Sequence, residues 1–292
     1  MTRPAALEII ACPYCGGAES VVWAQELGFR VVRCRSCALI YVNPRPPLAS
    51  IADAVQTGTH GEEAQGLRVV SRRVGRKVRY YRSLLATVFA DVWAEGRAIS
   101  WLDVGSGYGE VLEAVARLAP EGSRVEGLEP MRPKADAARR RGLTVVEDYL
   151  RSSHPKVRFI SFVDVFSHIP DFRSFLGDVR AVLEPGGEVF MVTGNLAELE
   201  RREEFPGELG VPDHLVFAGE SHLRGFLQEA GFEVVGVTRA RIDGVPYCAK
   251  SLVKKLLGRP EYLRLPYTSR YRQLMVRARL WQSRSARAAD RE

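Results

Sequence analysis

The sequence predicts an α/β fold, a doubly wound sheet preceded by a small zinc ribbon and followed by a helical extension. From residue 98 onward, apolar runs of strand length alternate with segments of helical periodicity, which is typical of a sheet covered by helices. Nearer the N-terminus, two C-x2-C pairs are separated by 18 residues. The predicted units are a ribbon over 1–45, a linker and helical cap over 46–97, the sheet domain over 98–250, and a basic helical extension over 251–292.

The N-terminal unit is defined by four cysteines, Cys12, Cys15, Cys34 and Cys37. Each C-x2-C turn can aim both sulfurs at one point, and four thiolates complete a closed tetrahedral site, so we predict a structural zinc. Two disulfides are the alternative, but the chain begins without the apolar region and cleavage site of a signal peptide. The same observations predict a cytoplasmic protein. We expect the ribbon to have a core of its own.

The charge of +7 is distributed unevenly along the chain. Residues 99–240 carry 16 Lys and Arg against 23 Asp and Glu, whereas residues 241–292 carry 13 against 4. The acidic sheet domain argues against one continuous nucleic-acid-binding face. The basic C-terminal tail instead predicts either packing on the core or a weak contact with a membrane surface or a polyanion.

A basic helix is predicted in front of the sheet domain. Residues 67–93 show helical periodicity, and one face carries Arg68, Arg72, Arg73, Arg76, Lys77, Arg79 and Arg82. Such a run is usually a solvated face. The alternative is that these cations meet an anionic ligand in the cleft of the sheet.

The sheet domain begins with a strand that runs directly into a glycine-rich turn. Gly105, Gly107 and Gly109 follow the strand at once, and a helix starts at residue 110. Glycines let the backbone turn sharply and approach a ligand, and a helix N-terminus offers free N–H groups to an anionic group. The next strand ends in Glu129, where a carboxylate can accept hydrogen bonds from ribose hydroxyls.

Three segments together resemble the class I S-adenosylmethionine-dependent methyltransferases: LDVGSGYGEVL, VEGLEP and LEPGGEVFMVT. The resemblance extends over about residues 99–250 and implies a Rossmann-like methyltransferase sheet with S-adenosylmethionine as cofactor. In that family the glycine turn surrounds the methionine part of the cofactor, and acidic residues hold its ribose and adenine. The implied cofactor residues are Asp103, Gly105, Gly107, Glu129 and Asp148.

Two histidines are candidates for the general base on the acceptor side. His168 follows the fourth strand, and His214 lies in a charged insertion over 196–217. We rank His214 first, because its neighbour Asp213 makes it similar to an acidic–His pair of the family. A helix cap at His168 and a loop hydrogen bond at His214 are the alternatives. Ser167 departs from the family pattern, which usually has Glu there.

The arrangement as a whole resembles bacterial zinc-ribbon methyltransferases of polysaccharide and secondary-metabolite pathways. This resemblance implies methylation of a small-molecule or glycan-like acceptor. Relatives that methylate carbon on nucleotide sugars carry a further large C-terminal domain, so we expect O-methylation. The alternatives are an RNA methyltransferase that holds RNA through its ribbon and basic flanks, and a catalytically inactive binding module.

The sheet is predicted to end in an antiparallel hairpin. A strand over 232–237 would turn at Asp243 and Gly244 into a second strand over 245–249. A helix that carries Leu274, Val276, Leu280 and Trp281 would follow in the extension.

Overall fold

The computed structural model of this chain describes residues 7–59, 75–205, 207–258, 263 and 265–281. The first part of the predicted basic helix, with Arg68, Arg72 and Arg73, lies outside the described residues. The end of the basic tail, residues 282–292, also lies outside them. Among the helices of the described ranges, none is both long enough and apolar enough to cross a membrane.

A seven-stranded, mostly parallel sheet forms the centre of the molecule, with the strand order β10-β11-β8-β7-β4-β5-β6. Four parallel pairings connect the five strands from β4 to β8, and β11 runs antiparallel to both of its neighbours, β8 and β10. The strands are β4 (Ser100–Val104), β5 (Arg124–Leu128), β6 (Val145–Val146), β7 (Val157–Val163), β8 (Leu183–Gly194), β10 (Phe232–Ala240) and β11 (Gln273–Leu280). This topology confirms the predicted α/β sheet.

Helices cover the sheet, and the buried side chains between them form its core. On one face, Phe89 contacts the aromatic rings of Trp101, Phe159 and Phe190 at centroid distances of 5.1–5.8 Å. The helices are α1 (Leu48–Thr57), α2 (Val78–Val88), α3 (Ala90–Ala94), α4 (Glu110–Ala116), α5 (Arg132–Arg139), α6 (Phe172–Val182), α7 (Glu220–Glu229) and α8 (Val245–Leu256).

A second sheet of four strands joins the cysteine unit to the insertion. The strands β1 (Ser20–Glu26), β2 (Phe29–Cys34) and β3 (Ile40–Val42) form an antiparallel meander. The short β9 (Val216–Phe217), which ends the insertion, pairs with β3 as the fourth strand. The cysteine unit is therefore completed by a strand that lies almost 180 residues further along the chain.

The expectation that the cysteine unit has a core of its own is wrong. Cys12, Cys34 and Tyr41 are buried in one apolar cluster with Phe166 and Leu223, which belong to the sheet domain. The His222 Nε2 also lies 2.7 Å from the Cys37 carbonyl oxygen. Apolar side chains of the meander that face inward need a partner surface, and the sheet domain supplies it.

The prediction of a helical extension over 251–292 is wrong where β11 lies, because the structure places this strand inside the main sheet. This strand pairs with β8 on one side and β10 on the other, and Leu274–Ala278 is buried. A strand that is buried on both faces has no simple apolar alternation, so its sequence resembles that of a buried helix. Only the start of the predicted extension, up to Leu256, is helical in the described residues.

The predicted closing hairpin is also wrong, because residues 245–249 begin α8 instead of forming a strand. Pro246 stands in the first turn of α8, where its fixed φ favours a helix and its missing N–H costs nothing. β10 satisfies its hydrogen bonds through β11 instead. Cys248, which we expected in a strand, lies on α8 and is partly buried.

Candidate active site

The glycine turn after β4 fits tightly against the protein on one side and opens into space on the other. Gly105 and Gly107 have φ angles of +66° and +55°, which favour glycine. A Cβ on Gly105 would lie 2.6 Å from Val165 Cγ2, so no side chain fits there. A Cβ on Gly107 would have no heavy atom within 4 Å. The turn thus presents bare backbone at Gly107 to an open cavity.

Glu129 holds the open side of this turn in place. The residue is buried, and its Oε2 accepts the Gly107 N–H at 2.7 Å. Its Oε1 accepts the Met131 N–H at 2.9 Å. Each carboxylate oxygen can accept more than one hydrogen bond, so the group retains acceptor capacity toward a hydroxyl donor in the cavity.

Asp103 lies beneath the glycine turn and is almost completely buried. The pKa of its carboxyl group is raised to about 7, because burial and, to a lesser extent, the nearby charge of Glu129 outweigh the hydrogen bond from Ser161. The Ser161 hydroxyl donates to Asp103 Oδ1 at 2.5 Å, and the Trp101 indole N–H donates to Ser161 Oγ at 2.9 Å. Asp103 is therefore held by the core while it lines the cavity.

Two adjoining cavities of about 490 and 570 Å³ open at the carboxyl ends of the parallel strands. They share Gly105, Gly107, Lys134 and Asp164 as walls. The first cavity is closed by Arg76, Lys77 and Tyr81 at the start of α2, and the second by α1. Ligands of doubly wound sheets bind at this edge.

The second cavity brings the predicted ribose and adenine residues together. Glu129 and Asp148 both line it, with Met131, Tyr149 and the α1 side chains as apolar walls. Asp148 Oδ1 accepts the Tyr149 N–H at 2.8 Å and pairs with Arg151 at 2.7 Å. All five predicted cofactor residues therefore lie around these two cavities.

His168 lies on the wall of the second cavity, beside Asp213. Its Nδ1 is 2.8 Å from the Asp213 carbonyl oxygen and 3.6 Å from Asp213 Oδ1. A carbonyl oxygen can only accept, so Nδ1 carries the proton and Nε2 is unprotonated in the neutral ring. Burial lowers the pKa of His168, but the hydrogen bond and charge of Asp213 outweigh burial, and the net shift is upward.

His214 packs against the ring of His168, with a centroid distance of 4.6 Å. Its Nδ1 donates to the Leu209 carbonyl oxygen at 2.6 Å. Burial lowers the pKa of His214, and the neighbouring charge of His168 lowers it further. Among the described residues that line the second cavity, His168 is present and His214 is not. The structure thus brings both candidates together and places His168 nearer the ligand space.

The sequence analysis missed two residues in the surroundings of the histidine pair and the cavities. Glu26, at the end of β1, accepts the N–H groups of Leu209 and Gly210 at 2.9 and 2.7 Å, and so fixes the loop whose carbonyl holds His214. No sequence signal marks this pairing across 183 residues. Asp164 lines both cavities and has a φ of +58°, which is strained for Asp. The sequence signal that could have identified Asp164 is its position directly after β7.

The four cysteines converge as their spacing predicted. Their Sγ atoms all lie within 4.8 Å of one another, and the Cys12–Cys37 and Cys15–Cys34 pairs are both 3.5 Å apart. Zinc–sulfur bonds of about 2.3 Å place the sulfurs of a tetrahedral site about 3.8 Å apart. All four cysteines are free thiols here. The donor set and its spacing fit one zinc ion.

A family model described as a methyltransferase domain matches residues 75–237. The chain belongs to this methyltransferase family. The match extends from the start of the α2 region to β10, and so includes the glycine turn, Glu129 and both histidines. It confirms the predictions of a methyltransferase and of a Rossmann-like methyltransferase sheet.

Curated relatives of this methyltransferase act on different atoms, as their names state. The C-methyltransferase NovU of Streptomyces niveus is 27% identical over 151 residues, which cover 49% of this chain and 35% of NovU. A ubiquinone biosynthesis O-methyltransferase of Vibrio parahaemolyticus serotype O3:K6 is 24% identical over 47% of this chain and 65% of the relative. The chain thus spans between about a third and two thirds of the length of these relatives.

Solved structures with a similar chain path include magnesium protoporphyrin IX methyltransferase from Synechocystis PCC 6803 with bound SAM. That structure is 13% identical, has a TM-score of 0.45, and the match covers 70% of this chain and 79% of that one. The structure of a putative sarcosine dimethylglycine methyltransferase from Galdieria sulphuraria is 16% identical with a TM-score of 0.48, and the match covers 71% of this chain and 91% of that one. Structural similarity at such low sequence identity and TM-score carries no information about the acceptor.

Proposed function

We propose that this methyltransferase binds S-adenosylmethionine in the two adjoining cavities and methylates an oxygen of a small-molecule or glycan-like acceptor. The single observation that carries the proposal is that Glu129 and His168 line the same cavity. One is the acidic residue expected to hold the cofactor ribose, and the other is a histidine oriented by a neighbouring Asp. A cofactor site and a proton acceptor thus share one ligand space.

The residues around the glycine turn fit the cofactor. The bare backbone at Gly107 leaves room for a ligand at van der Waals distance, and Glu129 retains acceptor capacity for ribose hydroxyls. Asp148 lies further along the same cavity, where we place the adenine. When bound, the cofactor supplies a methyl group attached to a positively charged sulfur, which is open to attack by an oxygen nucleophile.

His168 is the group that we assign to remove the proton of the acceptor hydroxyl. Asp213 holds the ring and keeps the proton on Nδ1, so Nε2 is the atom that accepts. The raised pKa makes the ring a stronger base than an ordinary histidine. His214 packs against this ring and supports its orientation, which reverses the ranking that the sequence suggested. A positioned general base contributes about 10²–10⁴-fold in rate.

The acceptor class is inferred from the walls of the second cavity. Its lining combines apolar side chains of α1 with Asp213, His168 and Lys134, which suits a compact acceptor with a hydroxyl group and an apolar portion. The ubiquinone relatives are named O-methyltransferases and NovU a C-methyltransferase, so the relatives leave both atoms open. The Asp-oriented histidine suits an oxygen nucleophile, because an alcohol or phenol must lose a proton as it attacks. A carbon acceptor must lose a proton too, so identification of the methylated atom in the product tests this part of the proposal.

Calorimetry with S-adenosylhomocysteine and a transfer assay with labelled S-adenosylmethionine test this proposal. We expect one binding site per chain and transfer to hydroxyl-bearing acceptors. Binding without transfer to any acceptor would favour the inactive binding module. Transfer to RNA, together with RNA affinity that falls steeply with salt, would favour the RNA methyltransferase. No binding of the cofactor product would overturn the proposal.

We also propose that the four cysteines hold a structural zinc. The closed set of four thiolates leaves no position for a substrate, so the ion stabilises the fold. Because the cysteines share a core with the sheet domain, Cys12→Ser should lower the melting temperature of the whole chain in a single transition. Metal analysis should find one zinc per chain in the unmodified protein and less in this variant.

Cys248→Ser is the matched control for the zinc proposal, because Cys248 lies on α8 and outside the four-thiol cluster. Its zinc content should equal that of the unmodified protein. Protein purified without chelators that holds no zinc would overturn the proposal. Two separate melting transitions in Cys12→Ser would instead contradict the shared core.

A further inference from the structure

α8 and its C-cap residue Leu257 expose most of their apolar side chains, whereas Tyr247 and Cys248 are partly buried. Val245, Leu252, Val253, Leu256 and Leu257 are 55, 47, 55, 78 and 72% exposed. The residue of α8 that is buried is the polar Ser251. An amphipathic helix of a globular protein normally turns its apolar stripe toward the core. Here that orientation is reversed.

The exposed residues form one continuous stripe along the helix. Val245, Ala249, Leu252, Val253 and Leu256 are spaced i, i+4, i+7, i+8 and i+11, which places them on one face. The stripe is therefore a coherent apolar surface and not a set of scattered exposed residues. Coherent surfaces of this kind mark sites of interaction.

Lysines border the stripe, and α8 contains no acidic residue. Lys250 and Lys255 are exposed and lie on opposite sides of the stripe by helical geometry. The sequence from 241 to 292 carries 13 Lys and Arg against 4 Asp and Glu. Lysine stems can extend along an apolar layer while their charges reach an anionic boundary.

The sheet register places the start of α8 at the edge where the cavities open. Ala240, at the end of β10, pairs with Gln273, which pairs with Gly194 at the end of β8. The parallel strands therefore end at the same edge as β10, from which the chain enters α8. The helix lies beside the acceptor-side insertion as well, because a Cβ on Gly207 would be 3.8 Å from the Tyr247 hydroxyl.

We propose that α8 docks the chain on an anionic lipid surface, with its apolar stripe among the acyl chains and its lysines at the headgroups. A helix that is apolar on one face and lysine-rich at the borders lies in the plane of such an interface. Protein interfaces bury about 800 Å² per partner and are depleted in lysine at their centres. A stripe of five side chains bordered by lysines fits lipid better. The docking does not depend on the proposed acceptor.

Vesicle flotation of the full chain tests this docking. We expect the chain to float with vesicles of phosphatidylcholine and phosphatidylglycerol, and only weakly with phosphatidylcholine alone. The triple variant Leu252→Ser, Val253→Ser, Leu256→Ser should lower the bound fraction at least about tenfold on the anionic vesicles. Lys250→Gln should lower binding about fivefold on the anionic vesicles only, and added salt should do the same.

Val22→Ser is the matched control, because Val22 on β1 is as exposed as Val253 but lies outside α8. It should float like the unmodified chain, and all variants should keep their affinity for S-adenosylhomocysteine. Equal flotation of the triple variant, or no flotation of the unmodified chain at low salt, would overturn the proposal. So would light scattering that shows a dimer lost in the triple variant, because the stripe would then be an interface between copies.

Discussion

The proposed cofactor side, around the glycine turn, and the proposed acceptor side, around the histidine pair, each rest on one glutamate that accepts two backbone N–H groups. Glu129 accepts those of Gly107 and Met131, which are near it in the sequence. Glu26 accepts those of Leu209 and Gly210, 183 and 184 residues away. The hydrogen bonds are equally short on both sides, at 2.7 and 2.9 Å. The glycine turn is thus held by a residue 22 positions away, whereas the loop beside His214 is held only after segments more than 180 residues apart have met.

Because different residues hold the two sides, substitutions should affect cofactor binding and methyl transfer separately. A change near the glycine turn should reduce cofactor affinity, and a change near His168 should reduce turnover alone. The experiments below either sharpen that separation or contradict it.

Gly107→Val should have the largest effect and abolish detectable binding of S-adenosylhomocysteine in calorimetry. The valine would fill space that the cofactor needs, and its backbone would be strained at a positive φ. Gly142→Val is the matched control, because Gly142 also has a positive φ and open space around its Cβ, but lies at the end of α5. Binding that is lost equally in both variants would attribute the effect to strain.

His168→Ala should lower kcat by about 10²–10⁴-fold, because it removes the proposed base, while cofactor affinity stays within about twofold. Steady-state kinetics and calorimetry check the two quantities. His214→Ala should lower kcat by at least about tenfold through the loss of packing against His168. A larger effect at His214 than at His168 would restore the ranking that the sequence suggested.

The pH profile gives a more specific test of His168. Turnover should rise with pH as His168 loses its proton, and Asp213 raises the pKa of this group. Asp213→Asn should therefore move that limb of the profile to lower pH while the plateau rate falls. The ligand atoms of His168, Asp213 and His214 all lie within 4.8 Å of one another, a spacing that could also hold a metal ion. The kinetics should therefore be repeated in the presence of a chelator. Loss of turnover on chelation while the zinc content stays at one per chain, restored by Mg²⁺ or Mn²⁺, would contradict the role as base.

Asp103→Asn should stabilise the protein at neutral and higher pH by up to about 4 kcal/mol, since burial raises the pKa of Asp103 to about 7. The folded state holds a proton that the unfolded chain releases above about pH 4, so the cost grows with pH until about pH 7. The Ser161 hydrogen bond can persist with the Asn oxygen as acceptor. Denaturant unfolding at about pH 5 and pH 8 should show the gain mainly at pH 8. An equal gain at both values would contradict the titration.

Glu129→Ala and Glu26→Ala should separate the two sides most directly. We expect their effects on cofactor affinity and kcat to be the smallest of these predictions. Glu129→Ala should weaken S-adenosylhomocysteine binding by about 1.5–3 kcal/mol, the range for hydrogen bonds to a charged group. Glu26→Ala should leave that affinity unchanged and lower kcat, because the Leu209 carbonyl that holds His214 loses its support. Loss of cofactor affinity in Glu26→Ala would mean that the two sides are not independent.

The sequence by itself determined the parts of this protein that are built from neighbouring residues. The strand, glycine turn and helix from Ser100 to Ala116 follow one another, and the acid after β5 falls beside that turn because adjacent parallel strands end at one edge. The two C-x2-C turns likewise aim their sulfurs inward locally, so four thiols meet as their spacing predicts.

Tertiary structure alone decided the parts that need distant partners. β11 and α8 both have apolar sequences. The segment of β11 becomes a strand because it hydrogen-bonds to the facing edges of β8 and β10. The ranking of the histidines that we propose depends on the path of the insertion, which β3 and Glu26 fix from the other end of the chain. Local sequence sets the propensity of a segment, but burial, strand partners and the neighbours of a titratable group are set only when the chain closes on itself.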